Sequence, residues 1–374
     1  MANADQFLTD AELRVTYGKE VTVAAAEESM WNGFMGKSDN ALIKTQLTTE
    51  TSAGSHTMSM IGLLEGEGVE GNTDMESNED QLTYLHQKVD MDSFGNSVKS
   101  KKTVIENASV AQNFKDDAKR QLATWAGTKS DKIITARLTH ACTNIAPCHA
   151  TNGIGSVNGT GSMVAGDIFS TEAIRKTKLI ATRGIKADGT PAPRLRPYMI
   201  KRESPVEGVA VNRKIFVMAI GSYSAEQLKS DPLWIESQKF THNQILNNAF
   251  TGQLGVFDDV IIVDMGTWTK NYAGILCSDS GDYGHYIENI EAYKGNLIET
   301  ELNLFLGATA GLCPMDMGFT YSEDTFDYGK KMGVSIDRTW AFDKAKFIGK
   351  TVADKAQIWH EQDYGVILVP ASKE

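Results

Sequence analysis

The stretch EGEGVEGNTDMESNEDQ, residues 65–81, decides how the rest of this chain is read. From Glu65 to Gln87 there are seven carboxylates (Glu65, Glu67, Glu70, Asp74, Glu76, Glu79 and Asp80), set among glycines, and no lysine or arginine. Withdrawing an unpartnered carboxylate from water costs several kcal/mol, so such a segment stays solvated or meets positive charge on something else. A basic cluster, Lys99-Ser100-Lys101-Lys102, follows, and β-type runs flank the acidic part at Leu42–Thr49 and Val89–Val98. Residues 42–102 therefore read as one extended excursion, too poor in apolar side chains to fold alone, that reaches for a partner.

The 374 residues suffice for one large domain or two to three smaller ones, each with its own core. Asp and Glu number 48 against 37 Lys and Arg, a formal net charge of −11, so the average surface repels nucleic acid and anionic membrane. The start, MANADQFLTDAELRVTYG, has neither the basic opening nor the apolar centre of a signal peptide, and no run approaches the ~20 apolar residues that cross a bilayer. A soluble chain of intracellular origin with no membrane partner is expected. Cys142, Cys148, Cys277 and Cys313 are sparse and irregularly spaced, which predicts free thiols and no disulfide framework.

Outward from the acidic stretch the pattern is mixed α and β. Thr9 to Met35 suits a helix closed by Gly36. Val104, Ala108, Ala111, Ala118, Leu122 and Trp125 fall on one helical stripe widened by Phe114, with an interruption at Gly127–Ser130 and a second apolar phase from Ile133. Residues 151–166 read as a turn-rich loop and 167–183 as a helix. Lys214–Gly221 and Val256–Val263 look like buried strands with helical residues 223–248 between them, and 270–286 like a surface loop. The apolar stretch Leu304–Ala310 and strands around Lys331–Arg338 and Gly365–Val369 close the domain.

Residues 175–202 carry nine basic side chains (Arg175, Lys176, Lys178, Arg183, Lys186, Arg194, Arg196, Lys201 and Arg202) against the single acid Asp188. This is a positive counterpart to the acidic excursion, either a solvated face or a subunit contact. As a nucleic-acid surface it is weak, because only Tyr198 is interleaved for base stacking.

The chemical motifs lead nowhere firm. Gly66-Glu67-Gly68-Val69-Glu70-Gly71 fits the dinucleotide spacing, yet its carboxylates would repel a pyrophosphate and no βαβ unit surrounds it. Gly36-Lys37-Ser38 and Gly349-Lys350-Thr351 lack the leading glycine of a phosphate loop, having Trp31 and Lys344 in its place. His140, Cys142, Cys148 and His149 offer four zinc-type ligands, but C-x5-C is not a tight metal knuckle. Asp90 and Asp92 would share one strand face, where a metal or an acid/base pair is weighed against a solvated strand edge. Neither G-x-S-x-G nor H-E-x-x-H occurs. No catalytic, cofactor or metal site is expected; the rival reading is a soluble metal-dependent or nucleotide-using enzyme built on the His140–His149 cluster or the glycine-rich loops.

Six segments, in order along nearly the whole chain, carry a resemblance: Met30-Trp31-Asn32-Gly33-Phe34; Leu63-Leu64-Glu65-Gly66-Glu67-Gly68-Val69; Met75-Glu76-Ser77-Asn78-Glu79-Asp80-Gln81-Leu82; Asp231-Pro232-Leu233-Trp234; Phe250-Thr251-Gly252-Gln253-Leu254-Gly255-Val256; and Asp327-Tyr328-Gly329-Lys330-Lys331-Met332-Gly333-Val334. The chain resembles the major capsid protein family of N-four-like tailed phages. The resemblance implies an α+β fold of the Hong Kong ninety-seven type: residues 1–41 as N-terminal arm, 42–102 as E-loop, 103–204 as peripheral domain with a long spine helix, 205–310 as axial domain, and 311–374 as the return to the peripheral domain. It also implies hexamers and pentamers of this chain closing into an icosahedral virion capsid around double-stranded DNA held by loose contact, assembled in the host bacterial cytoplasm. Portal, scaffolding and decoration proteins are further partners it allows. In that setting the acidic residues above, Lys99, Lys101 and Lys102, and Arg175, Lys176, Lys178, Arg183, Arg194, Arg196, Lys201 and Arg202 are expected at contacts between subunits.

Overall fold

The computed structural model describes residues 10–48, 54–61, 69–71, 75–76, 84–100, 114–140, 142–151, 153–155, 164–186, 189–203, 210–240, 252–266, 300–316, 318–328, 331–348 and 361–373. In chain order the elements are helix α1 (Asp10–Glu28), a 3-10 turn (Met30–Phe34), strands β1 (Met35–Gly36), β2 (Ile43–Leu47), β3 (Ser55–Ile61), β4 (Tyr84–Asp90) and β5 (Asp92–Lys99), helix α2 (Phe114–Thr139), strands β6 (Cys148–His149) and β7 (Gly153–Ile154), and helix α3 (Thr171–Arg183). Strands β8 (Tyr198–Glu203) and β9 (Ala210–Ile220), helices α4 (Ser222–Ser230) and α5 (Pro232–Phe240), and strands β10 (Gln253–Phe257), β11 (Val260–Asp264), β12 (Thr300–Leu306), β13 (Gly311–Met315), β14 (Thr320–Phe326), β15 (Lys331–Trp340), β16 (Asp343–Lys344) and β17 (Val366–Ser372) complete the α+β chain.

The unbroken apolar runs become a six-stranded sheet, ordered β10-β11-β9-β12-β17 with β8 also pairing β9. Alternate residues of its strands enter two different cores. Ile215, Val217 and Ala219 pack with Val263, Leu304 and Leu368 and with Ile133, Ile134 and Leu138 of α2. Phe216, Met218 and Ile220 pack with Ile262, Phe305 and Val369, and with Ile174 of α3 and Leu228 of α4. A sheet covered on both faces favours apolar residues on both, which is why Ile215–Ile220, Val260–Val263 and Val366–Val369 show no polar alternation. Val256–Val263 is not one strand but the hairpin β10–β11, turned by Asp258 and Asp259 at φ 48° and 59°. Aspartate tolerates that left-handed backbone better than most residues do, so the turn lacks the usual glycine signal.

The second sheet has order β1-β2-β13-β15-β14, with β16 pairing β13 and β5 pairing β15. Helices α1 and α2 lie on its β14–β15–β5 part, burying Val21, Ala25, Leu122 and Ala126 against Tyr321, Val334 and Ile336. α2 runs without a break through Gly127–Ser130, contrary to the sequence expectation. A Cβ on Gly127 would lie 2.8 Å from Cβ of Glu28 and 3.0 Å from the Ala25 carbonyl oxygen, so this glycine marks the crossing with α1. Ser130 keeps its hydroxyl inside the helix by donating to the Ala126 carbonyl at 2.8 Å.

α1 ends at Glu28, not at Gly36, because Asp131 of α2 captures the start of the 3-10 turn. Its carboxylate accepts from the Ser29 hydroxyl at 2.6 Å and from the Met30 amide at 3.0 Å, while the buried Trp31 indole donates to Thr135 at 3.0 Å. α3, inside 103–204, packs on the six-stranded sheet, and β17, inside 311–374, pairs with β12 of that same sheet.

Candidate assembly surfaces

The acidic excursion begins as the hairpin β3–β4, in register from Ser55↔Asp90 to Ile61↔Tyr84. Period-two alternation sets its two faces. Leu85, Gln87 and Val89 of β4 are buried while Tyr84, His86, Lys88 and Asp90 are exposed, and β3 contributes Met58 and Met60 to the buried side. That side lies on Leu312, Ala341, Ala345 and Tyr364 of the same chain. Gln87 locks the contact: its amide nitrogen donates to Asp343 and to the Lys344 carbonyl, both at 2.9 Å, and its amide oxygen accepts from the Lys346 N–H at 2.9 Å.

The reading of residues 42–102 as one extended excursion is therefore corrected. β2 and β5 belong to the second sheet, and the hairpin stem is anchored on its own molecule. Toward the tip, Glu70, Met75 and Glu76 are exposed, Met75 to 74%. Glu65, Glu67, Asp74, Glu79, Asp80, Lys101 and Lys102 lie outside the described residues.

The basic stretch lies elsewhere, on the six-stranded sheet, and neighbouring carboxylates already match part of it. Arg175 and Lys176 pair with Glu172 at 3.0 and 3.8 Å, and Lys178 pairs with Asp258 at 2.8 Å and Asp259 at 3.6 Å. Burial alone would raise the Asp259 carboxyl, but the hydrogen bonds and charge of Arg213, helped by Lys178, outweigh it and hold the group below its usual range. Lys186 donates to the Thr143 carbonyl at 3.0 Å and Arg196 is half-buried. Arg183 and Arg194 are exposed, and Lys201 and Arg202 belong to β8. Lys99 ends β5 with its ammonium 4.1 Å from the centre of the Phe326 ring.

The four zinc-type residues do not converge. Cys142 and Cys148 are fully buried, and burial pushes both thiols up, Cys142 to about 11, away from the thiolate a metal needs. Exposed His149 accepts from the Thr151 amide at 3.2 Å instead. Among the described residues no group of three or more His, Cys, Asp or Glu gathers at ligand distance. Asp90 ends β4 and Asp92 begins β5, so they do not share one strand face as expected.

What stands beside Cys142 is a buried ion pair that no sequence pattern announces. Lys344 and Asp363, 2% and 0% exposed, meet at 2.8 Å, with Lys344 also donating to the His140 carbonyl and Asp363 accepting from the Thr143 amide. Partners 19 positions apart in different elements leave no local signature. Gln87 and Asp131 were equally silent, since a polar residue inside a strand or helix reads as surface until its far partner is known.

A long helix laid along a flanking sheet, a hairpin excursion rooted in that sheet, and a second sheet clad in short helices make up a phage shell subunit. The chain superposes on the head structure of Helicobacter pylori bacteriophage KHP40, with a TM-score of 0.73 and 26% identity over 93% of this chain and 91% of that one. The acidic stable capsid structure of Helicobacter pylori bacteriophage KHP30 gives a TM-score of 0.72 at 24% identity, covering 92% and 91%. In sequence, the chain is 29% identical to the major structural protein ORF14 of bacteriophage KHP30 over 339 residues, 83% of this chain and 82% of that protein. It is 23% identical to the major capsid protein of Pseudomonas phage KPP25 over 361 residues, 90% and 89%. The phage capsid protein family matches residues 12–372, and the chain belongs to that family. It is a phage major capsid protein with the Hong Kong ninety-seven type of fold, a structural component of the virion shell and not an enzyme.

Proposed function

We propose that copies of this chain assemble in the host bacterial cytoplasm as hexamers and pentamers, which close into an icosahedral shell around double-stranded DNA. The observation that carries this reading is the contrast within one hairpin: a stem anchored on its own chain through Gln87 and a tip that exposes Glu70, Met75 and Glu76. Such a lever is fixed at its root and incomplete at its end until a sister subunit meets it. Lys99, Lys101, Lys102 and basic residues of 175–202 supply part of the complementary charge. Exposed ion pairs contribute only about 0–1 kcal/mol each, but every subunit repeats them, so the lattice is durable while misplaced subunits can still leave. A net charge of −11 fits a container that holds DNA loosely, because a basic lumen would grip the genome.

In this reading residues 1–41 are the arm, 42–102 the E-loop, α2 the spine of the peripheral domain, and the six-stranded sheet with α3, α4 and β17 the axial domain. Portal, scaffolding and decoration proteins are further partners it allows. Negative-stain microscopy and sizing of the overexpressed protein test it: capsomers or megadalton shells are expected, and a small discrete oligomer under all conditions would contradict it.

A further inference from the structure

Between α1 and the start of β14 runs an open groove of about 600 Å³, lined by Val15, Val23, Phe319 and Tyr321 together with Arg14 and Lys19. Val15 and Val23 are each 58% exposed, two turns apart on one helix. Gly18 forms the floor of the groove, since only a residue without a side chain lets α1 pass this close to the Phe319 carbonyl. The lining carries two cations, Arg14 and Lys19, against one carboxylate, Asp316, so the groove is basic in balance.

We propose that this groove is the socket for the acidic tip of an adjacent copy, with Met75 entering between Val15 and Val23 and Glu70 and Glu76 facing Arg14 and Lys19. The proposal rests on the reading that the tip drapes over a neighbour, and it names where the tip lands. Charge complementarity selects the occupant, because the tip is acidic and the groove basic. Met75 suits the slot in shape: its unbranched thioether fills irregular apolar gaps. A second copy supplies the tip because the chain's own hairpin is rooted on β13 and β16, while the groove lies at β14, the far end of the strand order β13-β15-β14.

Paired cysteines test the contact. Shells of Met75→Cys combined with Val23→Cys, oxidised and run on a non-reducing gel, should give a ladder of covalently joined chains absent from either single variant. Cys142, Cys148 and Cys313 are buried and do not compete, and the fourth cysteine, Cys277, is replaced by serine in every variant. Assembled shells that stay monomeric on the gel, or a bond closed within one chain, overturn the socket. Charge exchange separates it from the parent reading. Arg14→Glu with Lys19→Glu should lower shell yield at least about tenfold, equivalent to about 1.4 kcal/mol, and adding Glu70→Lys with Glu76→Lys should restore it. If tip reversal blocks assembly but groove reversal does not, the drape stands and the socket is refuted; if tip reversal changes nothing, both fall.

Discussion

At the residue scale, a few buried polar side chains decide how surfaces are held. Gln87 satisfies two backbone groups and one carboxylate at the foot of the hairpin, so Gln87→Leu keeps the bulk but orphans the Lys344 carbonyl and the Lys346 N–H. We expect a loss of about 2–4 kcal/mol, seen as a lower melting temperature and faster amide exchange in β3 and β4; unchanged exchange there would contradict the anchoring role. Asp231 makes a pH-dependent clasp between α3 and α5. Burial alone would raise its carboxyl, but the Thr171 amide and hydroxyl, with the amides of Leu233 and Trp234, hold it below the usual aspartate range. A depressed carboxyl contributes stability that is present above its unfolded value and lost as pH falls through its folded one. Asp131 has the opposite sign: burial, partly offset by Ser29, Met30 and Trp31, raises it, so its contribution is present in acid and lost as pH rises through the folded value. Asp231→Asn should therefore flatten the fall in melting temperature below about pH 4. A variant that tracks the parent protein down to about pH 2 would contradict this.

At the scale of elements, much of the chain was legible where one physical signal dominated. Ile215 to Ile220 and Val366 to Val369 read as strands because both faces are buried and no polar residue intervenes. Ala118, Leu122 and Trp125 set the helical period of α2. Legibility ended where a residue serves a distant partner. Gly127 looked like a break because its crossing with α1 is a tertiary fact, and the turn at Asp258–Asp259 was missed because its carboxylates answer to Arg213 and Lys178, far away in sequence. The same reasoning gives a test at Gly18. Alanine is about 1 kcal/mol better than glycine inside a helix, yet here its Cβ would run into the backbone carbonyl of Phe319, which cannot swing aside. Gly18→Ala should lower the melting temperature, and a rise would mean that α1 does not bear on β14 as described.

At the scale of the whole molecule, the sequence pointed to the family and to a contact surface with unequal success. Motifs spread from Met30 to Val334 carried the capsid reading because fold is distributed along the chain. The expected contact residues were harder, since charge alone does not say which basic groups are already matched: Arg175, Lys176 and Lys178 have partners within their own subunit. The most direct test is Glu67→Lys, Glu70→Lys and Glu76→Lys in one chain, followed by circular dichroism and electron microscopy. We predict a normally folded subunit that forms few or no shells; normal shells from that variant would contradict the account.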